Sequence, residues 1–477
     1  MTTDFVPASL LEVLRRTPEL SRAYLVGGCV RDALLGRPVK DFDVEVHGVD
    51  YASLARALSR WGRVDLVGKA FGVAKVMLPD GSQHDFSLPR RDSKVAPGHR
   101  GFDVTVDPCL TVEEASARRD FTINSMLLDP RTGELIDPHG GLRDLHDRRL
   151  RHTSAAFVED PLRVLRGMQF AARFRLSPDP ATVALCRSMA GMQSELPVER
   201  VREEWWKWAT LSVAPSRGLA FALETGWLHV HPELTGMPGV EQDPDWHPEG
   251  DVWTHTLRVV DAMAGQPGWQ AMNERTRGVL MLAALLHDSG KATTTRREWR
   301  DGRGRVISPG HDVAGVSMAE SFLARLGMPN EVKERVPPMV ANHMAHLSEP
   351  SARTVRRLAL RLAPATIEEL CQLMTADASG RPPRPAGEPE AVRALRAMAA
   401  SLALGSAAPR PIVLGRHLVA RGWPPGPRFK GILEKAFHAQ LEGKFEDEPG
   451  GLRWLDAELG GHEGHGSLDE SSEGPRP

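Results

Sequence analysis

The chain has 477 residues, 41% of them hydrophobic and 26% charged, with a formal charge of −2 at neutral pH. That length exceeds one ordinary core and predicts two to four domains. The near-neutral balance gives no global pull on nucleic acid, so such a partner must be held by local clusters such as Arg148, Arg149 and Arg151. The longest apolar run, Val279 to Leu286, is far too short to cross a bilayer. The start, MTTDFVPASLLEVLRR, lacks the pattern of a secretory signal, and Cys29, Cys109, Cys186 and Cys371 show no C-x-x-C pairing. A reducing cytoplasm, with no disulfide framework and no membrane partner, is expected.

In chain order, AYLVGG reads as strand and turn, CVRDALLG as helix, FDVEVHG as strand and YASLARALSRWG as helix. LVGKAFGVAKVMLP and HDFSLPRR read as two strands of one sheet, and INSMLLDP and ELIDP as a pair joined by the turn DPRTGE. From about residue 155 the strands are expected to give way to helices, beginning with EDPLRVLRGMQFAARF and VERVREEWWKWATL, and helical segments dominate to about residue 377. GMPGVEQDPDWHPEG, 236 to 250, reads as a linker, and RPPRPAGEPE, 381 to 390, as a second break. The polar, Gly/Ser-rich end reads as disordered.

KDFDVEVHG, residues 40 to 48, puts Asp41, Asp43 and Glu45 on alternate positions of an apolar run. In a strand these share one face, which is unfavourable unless something positive sits between them. Upstream, LVGGCVRDALLG leads a strand into Gly27-Gly28 and then a helix with Arg31 in its first turn. Such a turn and helix start suit a phosphate. Glu45 lies ~13 Å from Asp41 at ~3.3 Å per residue, too far to share a metal pair ~3.5–4 Å apart. Asp85, in SQHDFSLPR, is the candidate third carboxylate from a neighbouring strand.

Apolar-Gly-Gly, twelve residues, then Asp-apolar-Asp resembles the signature of polymerase-β-like nucleotidyltransferases. RRDFTINSM from residue 118, GGLRDLHDRRLRH and EDPLRVLRGMQFAARF from residue 159 follow. Together these blocks resemble, in order, the bacterial class II tRNA nucleotidyltransferase and poly(A) polymerase family over nearly the whole first 210 residues. The resemblance implies Mg²⁺ held by catalytic Asp41 and Asp43, and a nucleotide contacted by Gly28, Arg31 and Arg119. Asp160 and Arg163, with Arg166 beside them, would read the Watson–Crick edges of CTP and ATP, which both present an amino donor beside a ring-nitrogen acceptor. The implied RNA partner is the tRNA 3′ end. Gln169 stands where the family usually shows a third arginine. The neck helix is matched by ELPVERVREEWWK, with Glu199, Arg200, Glu203 and Lys207 in structural roles. Arg90, Arg91, Asp92 and the loop that follows resemble the flexible loop that CC-only enzymes lack, which implies terminal A addition.

His-Asp occurs at 84, 146, 287 and 311, and only ALLHDSGK places it at the end of an apolar helix. With His255 upstream and Asp377 downstream, this resembles an HD phosphohydrolase domain. Its implied ligands for a divalent transition metal or Mg²⁺ are His255, His287, Asp288 and Asp377. His311 and His343 are candidates for a second metal, and Lys291 for substrate phosphate. The expected architecture is an α/β, polymerase-β-like nucleotidyltransferase head (1–152), an all-α neck and body (153–240) and an all-α HD domain (251–380). A helical C-terminal block (391–458) and a disordered tail (459–477) complete it. An A-adding enzyme or poly(A) polymerase is the alternative within the family. A nucleotide phosphohydrolase with a vestigial head is the other, against which the intact D-x-D argues.

Overall fold

The computed structural model describes residues 2–65, 72–94, 102–300 and 302–463. Residues 95–101 of the expected flexible loop and residues 464–477 of the expected tail lie outside the described residues. The chain divides into two compact units. The first comprises Met1–Pro238, Ala264–Met281 and Phe322–Met328; the second comprises Gly239–Met263, Leu282–Ser321 and Pro329–Pro477.

In the first unit, seven strands among the described residues form one mixed sheet. They are β1 (Ala23–Val26), β2 (Asp43–Val46), β3 (Arg63–Asp65), β4 (Val73–Met77) and β5 (Gln83–Ser87), followed, after a separate hairpin of β6 (Arg90–Lys94) and β7 (Phe102–Val106), by β8 (Leu127–Leu128) and β9 (Leu135–Ile136). The sheet order is β3-β4-β5-β2-β1-β8-β9, with β2 and β5 parallel. Alternation sets its faces: in β4, Ala74 and Val76 are buried while Lys75 and Met77 point outward. The β6–β7 pairing occupies part of the region expected as loop.

Beyond the sheet, helix α1 (Leu162–Phe174) packs on α2 (Val198–Leu211) and on helix Pro215–Glu224. Gly167 permits that closeness, since a Cβ there would lie 3.0 Å from the rings of both Phe121 and Phe221. Strands do not vanish entirely after residue 155. Arg149–Leu150 pairs with Ser177–Pro178, and the second unit carries a hairpin of β10 (Arg296–Arg300) and β11 (Arg303–Ile307). The HD domain is therefore helical with one inserted hairpin, and Gly302 at φ +73° supplies its turn.

Two further expectations change. Segment 236–250, expected as a linker, does hold the Pro238/Gly239 boundary between the units, but it is not a free one: its acidic residues are tied to the hairpin, with Glu241 to Arg297 at 2.7 Å, Asp243 to Arg305 at 3.1 Å and Asp245 to Arg303 at 2.7 Å. The tail expected as disordered from residue 459 begins inside helix Glu448–Glu463, where Leu455 and Leu459 pack into an apolar cluster with Val413 and Phe445.

Candidate active sites

Asp43 opens β2 and lies opposite Asp85 of the parallel β5, with strands ~4.8 Å apart. Asp41 and Asp43 are both exposed, and Lys75 holds Asp85 at 2.9 Å. Although solvent reaches Asp43, partial burial pushes its carboxyl above the usual range; Arg119 opposes the rise, while the like charges of Asp85 and Asp41 add to it. The donor set is all oxygen and mutually repelling, which a hard divalent cation relieves.

Glu45 is fully buried and faces bases instead of the two aspartates. His47 Nε2 lies 3.3 Å away, Arg119 Nη2 3.3 Å and Arg118 Nη2 3.5 Å. Burial alone raises this carboxyl, but the His47 hydrogen bond and the two guanidinium groups hold it down at about 2. Arg119 thereby lies over the Gly27 turn, where a Cβ would stand 3.0 Å from its Nη1 and φ is +75°. Gly27, more than the expected Gly28, is the position that only glycine fills without strain.

A hydrogen-bonded relay joins the other predicted residues. Arg31 donates to Asn124 Oδ1 (2.5 Å), Asn124 donates to Asp120 Oδ1 (3.0 Å), and Arg166 donates to Asp120 Oδ2 (2.7 Å). Burial lifts the Asp120 carboxyl, yet Arg166 and Asn124 hold it below its ordinary value. Arg31 is buried and turned inward, paired with Asp32 and stacked 4.4 Å from the Phe174 ring centroid. Asp160 caps Leu162 N at 3.1 Å and pairs with Arg200 at 3.1 Å. Arg163 donates to the carbonyls of Ala156 and Arg118, both at 2.6 Å. Asp160 and Arg163, the expected template pair, are therefore adjacent and anchored, and Arg200, expected to be structural, braces Asp160. Gln169 is buried with Oε1 unpaired among the described residues, a position where a guanidinium would carry a desolvation cost.

In the second unit the six expected metal ligands converge. Helix α3 (Val252–Ala264) supplies His255, and α4 (Glu274–Leu286) ends just before His287-Asp288. Helix α5 (His311–Arg325) opens on His311, α6 (Asn330–Asn342) is capped by His343, and α7 (Ile367–Ser379) carries Asp377. His255 Nε2 is 3.0 Å from Asp377 Oδ1 and 3.3 Å from His287 Nε2. Asp288 faces both halves: Oδ2 is 3.3 Å from His287, while Oδ1 is 3.4 Å from His311 and 3.7 Å from His343.

The tautomers test whether a metal fits. Nδ1 of His287, His311 and His343 each faces a backbone carbonyl, of Ala284 (2.9 Å), Ser308 (2.8 Å) and Val340 (2.7 Å). A carbonyl only accepts, so each Nδ1 carries a hydrogen, and each ring in its neutral form offers a lone pair at Nε2. Those lone pairs aim at one another and at carboxylates, an arrangement that a cation satisfies. Burial works against charging His255 and His343, but Asp377 and Glu249 on the first, and Asp288 on the second, raise both above the usual range. The Asp288 carboxyl, lifted by burial, is held far below its range chiefly by Lys291 and His287. Asp377 is held likewise by Arg381 and His255.

Several groups were missed from sequence. Glu249 Oε1 lies 2.7 Å from His255 Nδ1 and 2.9 Å from His247 Nδ1, orienting a ligand ring from behind. Arg381, also missed, reaches Asp377 at 2.5 Å, whereas Lys291, expected from sequence for substrate phosphate, sets Nζ 2.7 Å from Asp288 and 2.8 Å from Gln242. Gln242, His247 and Glu249 belong to the segment taken for a linker. Its His-x-Glu spacing was the available signal, masked by proline and glycine. A cavity of about 430 Å³ opens onto this cluster.

Residues 23–151 match the poly(A) polymerase head domain and residues 252–381 the HD domain. A multifunctional CCA protein of Xanthomonas campestris pv. campestris is 38% identical over 400 residues, spanning 81% of this chain and 92% of that one. One from Vibrio vulnificus is 38% identical over 322 residues, 65% of this chain and 72% of that one. Among solved structures, the Bacillus stearothermophilus CCA-adding enzyme in complex with CTP aligns at a TM-score of 0.64 and 23% identity, covering 96% of this chain and all of that one. The Thermotoga maritima CCA-adding enzyme complexed with tRNA aligns at 0.60 and 19% identity, covering 96% and 97%. These two show the shared fold. With the head and HD matches in the same order, and with identity extending over nine-tenths of a curated relative, the chain belongs to the multifunctional CCA protein family.

Proposed function

We propose that this chain adds and repairs the 3′-terminal CCA of tRNA from CTP and ATP, and that its HD domain is a metal-dependent phosphohydrolase. The observation that carries the first activity is the facing pair of features in the head: Asp41, Asp43 and Asp85 on one side, and Arg119 braced by Glu45 across the Gly27 turn on the other. Asp41 and Asp43, with Asp85 beside them, would hold Mg²⁺, which supplies charge neutralisation for an in-line displacement. In that reaction the tRNA 3′-oxygen forms a bond to the α-phosphorus of the nucleotide. The bond to the β-phosphate bridging oxygen breaks, pyrophosphate leaves and the hydroxyl proton goes to solvent. Arg119 holds the triphosphate and the Gly27 turn admits it closely. Asp160 accepts from the base amino group and Arg163 donates to the ring nitrogen, leaving guanine and uracil with unpaired groups. The Arg31–Asn124–Asp120–Arg166 relay keeps the phosphate end and the template end in register.

In the HD domain, His255, His287 and Asp377 form one half-site and His311 and His343 the other, with Asp288 shared. Imidazole and carboxylate donors suit a divalent first-row metal, which supplies an acidified water for attack on phosphorus. Lys291 and Arg381 place positive charge beside the phosphate. Water oxygen bonds to phosphorus, the ester oxygen departs and takes up a proton. The head ending near residue 152, the HD domain at 251–380 and a cytoplasmic setting belong to the same reading. No described helix is long and apolar enough to cross a membrane.

The test is incubation with tRNA ending before CCA, given CTP alone, ATP alone, or both. Two C additions with CTP and a final A only when both are present support the reading. Incorporation of ATP but never CTP overturns it in favour of A-only or poly(A) addition.

A further inference from the structure

Four arginines of the first unit gather around one aromatic ring. The guanidinium carbons of Arg31, Arg37 and Arg173 stand 4.4, 4.8 and 4.9 Å from the ring centroid of Phe174, the last residue of α1. Those three charges therefore lie within ~10 Å of one another, about one Debye length at 0.1 M salt. Arg148 joins them by donating to the Phe174 carbonyl at 3.5 Å, and Arg37 donates to the Arg173 carbonyl at 3.4 Å. Among the described residues one carboxylate pairs with the group: Asp32, 2.7 Å from Arg31 and 3.8 Å from Arg173.

Capping accounts for only part of this. The ends of α1 and of the helix Gly28–Leu34 supply roughly half a negative charge each, so with Asp32 they balance about two of the four positive charges. Burial holds the Arg37 guanidinium below its ordinary pKa, with Asp32 opposing and the like charges of Arg31 and Arg148 adding to the fall. Arg173 is lowered in the same way by burial and Arg31, against Asp32, with Arg37 adding to it. A guanidinium does not shed its proton to relieve such crowding, and each has five N–H donors, of which Arg37 and Arg148 use one apiece on carbonyls. Arg148 is exposed and Arg37 half-buried, so an anion from solvent can reach both and answer charge and donors together.

We propose that Arg37, Arg148 and Arg173 form a phosphate site for the RNA strand, their charge neutralised by a phosphodiester of the tRNA, with the buried Arg31 adding to the attraction. This rests on the nucleotide-addition reading above. Arg37 follows the end of the helix Gly28–Leu34 that is remote from the Gly27 turn, ~10 Å away at ~1.5 Å per residue. The turn and Arg119 are thus left to the triphosphate. A phosphate contact positions the strand without reading a base, so it serves each addition alike. Phe174 keeps the guanidinium groups together through cation–π contact.

The experiment measures binding of tRNA ending before CCA to the full chain, without nucleotide, over a range of salt concentrations. Arg37→Gln and Arg148→Gln each remove a charge and keep a donor for the helix carbonyl, Arg37→Lys keeps the charge, and thermal melts verify folding. Each Gln variant should weaken binding about tenfold, the lower end for one hydrogen bond to a charged group. Each should also reduce the slope of log K against log salt by ~0.7–0.9. Arg37→Lys should keep the native slope, and KM for CTP should move less than about twofold in every variant. Native affinity and slope in both well-folded Gln variants overturn the site, leaving these arginines as helix caps and nucleotide addition intact. A raised KM for CTP with unchanged tRNA binding overturns it in favour of the phosphates of the nucleotide. Absence of both tRNA binding and nucleotide addition in the native chain refutes the addition reading and the site with it.

Discussion

Replacing Glu45 by glutamine keeps its shape and removes its charge. The Glu45 carboxyl sits at about 2 against an ordinary value of 4.5, and each pH unit of depression is worth about 1.4 kcal/mol. The side chain is fully buried and Arg118 and Arg119 are only 19% and 17% exposed, so solvent screens the pairs little. Allowing for the hydrogen bonds an amide retains, the loss should be about 2–3 kcal/mol, roughly a 5–10 °C fall in the melting temperature of the unit carrying the head. The sign follows from the depressed pKa. Stabilisation is complete above pH 4.5 and lost as pH falls toward 2, so the gap between native and variant should be full at pH 7 and shrink at pH 3.5. With Arg119 no longer held, KM for CTP and ATP should rise about tenfold, while the Mg²⁺ concentration for half-maximal rate stays put. Thermal melts at the two pH values and a nucleotide titration measure all of this. An unchanged melt with a shifted Mg²⁺ requirement would show that Glu45 is a metal ligand after all and refute the reasoning.

Asp85→Asn removes a like charge beside Asp43, so the acid limb of nucleotide addition should move to lower pH and the Mg²⁺ requirement should rise; a pH–rate profile at several Mg²⁺ concentrations checks both. Metal analysis of purified protein should find about two ions per chain, one of them lost in His343→Ala and both in Asp288→Asn, because Asp288 serves both half-sites. Loading the metal at pH 6 should release protons from His255 and His343, whose pKa values are raised, and affinity should fall as pH drops; calorimetry in buffers of different ionisation enthalpy reads the proton count. Asp120→Asn should weaken its pairing with Arg166, raising KM for both nucleotides by several-fold without altering HD phosphate release.

Local pattern carried far in this chain. The strand, Gly-Gly turn and helix around Val26 to Leu34 follow from spacing and period, whereas the histidine-bearing helix ends of the HD domain are implied by the family resemblance. What stayed hidden depends on partners distant in sequence. Distance along the strand sets Glu45 apart from the metal pair, but its partners Arg118 and Arg119 lie more than seventy positions away in sequence and show only in the fold. Segment 236–250 has the composition of a linker because tight turns need proline and glycine; only its salt bridges to the hairpin reveal it as a wall of the cavity. The hairpin itself, rich in arginine and poor in apolar residues, gives no clear strand signal, since its charged side chains answer to Glu241, Asp243 and Asp245 instead of a core. Arg31 was expected at the nucleotide, and the stacking of Phe170 and Phe174 that turns it inward is a tertiary fact.

The central claim is that one chain carries two separate active sites, and paired point variants test it most directly. Nucleotide addition to tRNA lacking CCA and phosphate release from a nucleotide ester should be measured on Asp41→Ala and Asp288→Asn, with folding verified by thermal melting. The account predicts that Asp41→Ala abolishes addition and spares phosphate release, and that Asp288→Asn does the reverse. Loss of both activities in either well-folded variant would contradict it.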